Sequence, residues 1–116
     1  MVGNKFNNST DAGSKSLDAV TTGTGTAIPF QDCRQVGWFV TTSGTISGGT
    51  IIIEHAPTAD YAGTWYQLDS IAATDADTGA GGLGTFPGPL QFVRARISSN
   101  ITGGGNVTVR LNGLLQ

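Results

Sequence analysis

Residues 106–111 read NVTVRL. Val107, Val109 and Leu111 recur at a period of two, against Thr108 and Arg110. Such alternation belongs to a strand with one buried face, because successive side chains point to opposite sides. Upstream, residues 90–97 (LQFVRARI) alternate in the same way, with Val93, Ala95 and Ile97 against Arg94 and Arg96. Residues 34–42 (RQVGWFVTT) place Val36, Trp38 and Val40 on one face, with Gly37 where a neighbouring segment can come close. Residues 50–55 (TIIIEH) set Ile51, Ile53 and His55 against Ile52 and Glu54. Residues 64–69 (TWYQLD), running on towards Ile71, and residues 17–22 complete the strand set. Turn-rich stretches such as 43–49 (SGTISGG) separate them. No window of about a dozen residues carries the 3.6-residue period of a helix. The pattern predicts an all-β fold, an antiparallel β-sandwich of jelly-roll-like form. Residues 1–16 (MVGNKFNNSTDAGSKS) are polar apart from Phe6. They bury too little to offset their ordering entropy, and are read as a flexible or partner-ordered N-terminal arm. Residues 17–116 then form the single β-sandwich domain.

Composition narrows the function classes. Only 12% of the 116 residues are charged, about half the usual share. A single Cys cannot form an internal disulfide, and one His with one Cys cannot build a common zinc site. A net charge of −2 argues against nucleic-acid binding, which needs a basic face. No apolar run reaches the roughly 18 residues of a spanning helix, so no membrane partner is expected. Residues 1–16 show no apolar core of a secretory signal. No cofactor and no metal are expected.

Several local patterns suggest chemistry, and each has a plainer reading. Gly79, Gly81 and Gly84 match G-x-G-x-x-G. Pro87 and Pro89 follow, and forbid the helix that would hold a dinucleotide pyrophosphate; a mobile surface loop is expected. Asp75 and Asp77 open a D-x-D-x-G stretch. An acid at its twelfth position would complete a calcium loop, but Phe86 stands there, so a turn is expected. His55 lies on the Ile51 and Ile53 face and is read as a packed or rim residue. Cys33 is read as a small buried hydrophobe. Glu54 with Asp60 or Asp69 offers only the carboxylate proximity that any β-domain provides. The chain is read as having no catalytic residues. Arg94, Arg96 and Arg110 are half of the basic residues and are expected to form a small basic strip at a partner surface.

Residues 58–65 (TADYAGTW) join a turn to a strand that starts on a large aromatic. The segment resembles the Asp-box hairpin of sialidases, with altered spacing between Asp60, Gly63 and Thr64. That motif is structural. Asp60 is expected to accept backbone N–H bonds, Gly63 to take positive φ, and Trp65 to fold onto the hairpin.

The order of GGTIIIEHAP, GTWYQL, FVRARIS and GGGNVTVRLNG across residues 34–113 resembles small β-sandwich virion proteins of tailed bacteriophages. These include capsid decoration (cement) proteins and related tail or head-fibre components. The resemblance implies a symmetric homo-oligomer, often a trimer, seated on the major capsid protein at the capsid surface and made in the bacterial cytoplasm. It carries no catalytic residue. Candidate interface residues are Phe6, Trp38, Phe39, Tyr61, Trp65, Tyr66, Arg94, Arg96 and Arg110. The alternative is a tail or head-fibre component, with Tyr61, Trp65 and Tyr66 as a stacking platform for a glycan.

Overall fold

The computed structural model describes residues 15–78 and 81–115. Among the described residues six strands follow one another: β1 Lys15–Val20, β2 Ile28–Ser43, β3 Gly48–Ala56, β4 Tyr66–Ala72, β5 Gly81–Thr102 and β6 Asn106–Leu115. A 3-10 turn, Ala73–Thr78, leads from β4. The fold is all-β and antiparallel, with spatial order β1-β6-β2-β5-β3-β4.

The two long strands, β2 and β5, change partners along their length. The later part of β2 pairs with β6 from Gln35↔Leu114 to Ser43↔Asn106, and with the start of β5 from Gln35↔Thr85 to Phe39↔Gly81. The early part of β2 pairs instead with the middle of β5, as Ile28↔Val93 and Pro29↔Phe92. From Phe92 to Thr102, β5 takes β3 as a partner. Register shifts between Pro29 and Gln35 mark the change-over. The ladder therefore has two halves. One is β1, β6, later β2 and early β5; the other is early β2, later β5, β3 and β4. Both halves feed one core. Leu17, Trp38, Val40, Val107, Val109 and Leu111 enter from the first, and Ile28, Ile51, Ile53, Val93, Ala95 and Ile97 from the second. The alternation read in residues 106–111, 90–97 and 50–55 is the record of that shared core.

The segment after β1 covers the free edge of later β5. The Gly25 N–H donates to the Ala95 carbonyl at 2.8 Å, Ile97 N–H to Gly23 at 2.9 Å, and Ile101 N–H to Thr21 at 2.9 Å. A Cβ on Gly25 would lie 2.8 Å from the Ala95 oxygen and closer still to the Ser16 carbonyl, so glycine is required there. Ser16 ties the region together: its hydroxyl donates to the Thr26 carbonyl at 2.7 Å and accepts from Ala95 N–H at 2.8 Å. Lys15 and Ser16, expected at the end of the arm, thus belong to β1. Residues 1–14, with Phe6, lie outside the described residues.

Two expectations are corrected. Residues 81–85 are not a loop but a strand along β2. Three of these five residues are Gly, which have no side chains to alternate, so the sequence carries no period-two signal there. Residues 28–33, left outside any predicted strand, begin β2. Pro29 there masks the strand signal.

Candidate functional site

The second half carries a charged cluster on the face away from the core. In the β3–β5 register, Glu54 stands opposite Arg94, and Ile52 opposite Arg96. Ile51, Ile53, Val93 and Ala95 fill the core, so the period-two alternation sends Glu54, Arg94 and Arg96 outward together. Glu54 is directly across from one arginine and diagonal to the other, both within reach of a cross-strand side chain. Arg94 Nε donates to Glu54 Oε2 at 2.7 Å. Arg96 Nε donates to the same oxygen at 3.2 Å and lies 3.4 Å from Oε1. The Glu54 side chain is only 3% exposed, against 20% for Arg94 and 37% for Arg96. One buried carboxylate therefore holds two partly exposed cations, leaving one net positive charge.

Trp65 completes the cluster. Arg94 Cζ sits 3.7 Å from the centre of the Trp65 ring, a stacked cation–π contact. The indole N–H donates to the Tyr61 carbonyl at 2.9 Å, so the turn fixes the ring that supports the guanidinium. Tyr61 N–H in turn donates to Thr58 at 3.3 Å. Gly63 does not take positive φ. Its role is space: a Cβ there would lie 2.6 Å from the Tyr61 hydroxyl. Trp65 packs beneath the β5 arginine as well as against its own turn.

The other candidates are dispersed. Arg110 is on β6, opposite Phe39 of β2 and Lys15 of β1, in the other half of the ladder. The expected strip of three arginines is thus a pair with a carboxylate on one half and a separate residue on the other. Phe39, 52% exposed, shares the outward side with Arg110, whereas Trp38 points into the core. Tyr66 is 66% exposed and Tyr61 is partly so, but Trp65 is buried under Arg94. The three aromatics do not make an open platform with Trp65 as its centre.

His55 points away from Glu54, towards the core side, where it pairs in register with Val93 and Tyr66. Its ring centre is 6.2 Å from that of Tyr66. Burial pushes its pKa below the ordinary value of 6.5. Glu54 and His55 are thus on opposite faces, and the Asp69 carboxylate accepts from Ser70 N–H at 2.8 Å. Asp75 is exposed in the 3-10 turn. The side chains of Asp77 and Cys33 lie outside the described residues. Among the described residues no group of three His, Cys, Asp or Glu is placed to hold a metal ion. No described helix is long and apolar enough to cross a membrane.

Sequence reasoning placed Arg94 and Arg96 on one face but missed Glu54 as their partner. Cross-strand register pairs residues 40 and 42 apart, and no local signal encodes it. Compared with known proteins, the chain matches no family model, no curated sequence and no solved structure.

Proposed function

We propose that this chain is a structural bacteriophage virion protein, a capsid decoration (cement) protein that binds the assembled shell as a symmetric oligomer, with the homotrimer as the expected form. The strand order is the observation that carries the reading. Divided where β2 and β5 change partners, the chain gives eight stretches. Numbered along the chain, their order is 1-8-3-6 in one half and 2-7-4-5 in the other. A double-sheet jelly roll has this arrangement, an architecture used by capsid and lectin domains. Fold alone does not assign function. The virion reading therefore also rests on the resemblance across residues 34–113, and on aromatic and charged groups set on outer strand faces. Binding only to the assembled shell would raise shell stability by mass action.

Mass spectrometry of purified particles, with copy number, tests the proposal. A copy number matching the shell lattice is expected. One matching the rings of the tail moves the chain to the tail, and absence from particles overturns the virion reading. The alternative, a tail or head-fibre component that binds glycan, rests on the exposed Tyr66. Glycan binding abolished by Tyr66→Ala in a folded protein would favour it over the shell.

A further inference from the structure

Glu54 uses only the Nε–H of each arginine beside it. Neither guanidinium has another hydrogen-bond partner among the described residues. Both side chains are partly exposed, Arg96 more than Arg94, so solvent reaches the pair. Two cations against one anion leave the cluster positive. The Trp65 ring under Arg94 and the shared Glu54 carboxylate fix the guanidiniums in advance, which lowers the ordering cost of a ligand. Stability does not account for the arrangement, because buried ion clusters are commonly no better than apolar residues of the same volume.

We propose that Arg94 and Arg96 form a receptor for an acidic side chain presented by a protein partner. The planar guanidinium fork matches two carboxylate oxygens, and a desolvated floor strengthens such charge-assisted bonds. Ile52 and Trp65, both buried, supply that floor. A polyanion is a poorer fit. It needs a run of cations, whereas Arg110 lies in the other half and the chain carries a net charge of −2. The proposal does not depend on the virion reading; a chain absent from particles would leave the chemistry of this face unchanged.

The test is a titration of the 15N-labelled full chain followed by NMR. The probe is a capped tripeptide with a central glutamate. Inorganic phosphate and sodium chloride at matched ionic strength serve as comparisons. Saturating shifts are expected at the Nε–H signals of Arg94 and Arg96 and at the Trp65 indole, with a Kd on the order of millimolar. Arg96→Gln leaves Arg94 on Glu54, and should weaken binding by about fivefold or more. Arg96→Lys keeps the charge but loses the fork, and should also bind more weakly. Lys15→Gln removes the same charge from β1 and should leave the Kd unchanged. Shifts that merely follow ionic strength, tighter saturation by phosphate, or an unchanged Kd in both folded Arg96 variants would overturn the proposal.

Discussion

Ala19 occupies a left-handed conformation, φ 55°, within β1. The β1–β6 register slips between Leu17 and Val20, so Ala19 sits in a bulge, with its N–H on the Thr108 hydroxyl at 3.0 Å. A Cβ in this region costs about 1–2 kcal/mol, and glycine avoids it. Ala19→Gly is therefore expected to stabilise the protein by about 0.5–1 kcal/mol, net of the greater freedom of glycine when unfolded. Urea denaturation measures it, and a lower midpoint would contradict the bulge geometry. At Gly25 the sign is reversed. Gly25→Ala drives a methyl group into two backbone carbonyls and should cost about 2–3 kcal/mol by overpacking. His55 gives a pH dependence. Its folded pKa is below the unfolded value, so the folded state favours the neutral ring. That contribution is complete above about pH 6.5 and is lost as pH falls from there towards the folded pKa. Denaturation midpoints compared at pH 7 and pH 5 should show a smaller drop in His55→Gln than in the parent chain.

At the scale of elements, β3 and β5 are joined by charge on one face and by Ile51, Ile53, Val93 and Ala95 on the other. Glu54→Gln leaves two arginines without their anion. Because both are partly exposed and can turn to water, the expected cost is about 2–3 kcal/mol, below that of a fully buried pair. The combined variant Glu54→Leu, Arg94→Met, Arg96→Leu should lose less stability than Glu54→Gln alone, as read by urea unfolding. If the triple variant is the less stable, the cluster is a structural staple and not a costly feature. What could be read beforehand follows the same division. Strands with one face in the core, such as residues 90–97 and 106–111, declare themselves through alternation. Early β5 does not, because Gly81, Gly82 and Gly84 have no side chains to pattern. The Arg94 and Arg96 pairing of faces was legible within one strand. Glu54 reads from the sequence only as a carboxylate near Asp60 or Asp69, and it is register across strands that brings it to the arginines.

At the scale of the whole molecule, the halves cannot be separated, because β2 and β5 run through both. The outer strand β4 carries its own protection. The Asp69 carboxylate takes the Ser70 N–H, and the ladder slips beside it, which discourages uncontrolled pairing with another edge. The placement of β6 has a further consequence for the time course of folding. It lies between β1 and β2, two strands synthesised long before it. Until β6 leaves the ribosome, both of those strands lack a neighbour on that side, and the core lacks Val107, Val109 and Leu111. A fragment of residues 1–105 is therefore expected to stay unfolded by circular dichroism, while the full chain folds in a single slow step set by non-local pairing. A cooperative thermal transition in that fragment would show that β6 is dispensable. If the fragment stays unfolded, the chain must be kept from aggregating throughout its synthesis, and its low charge makes that interval its most vulnerable one.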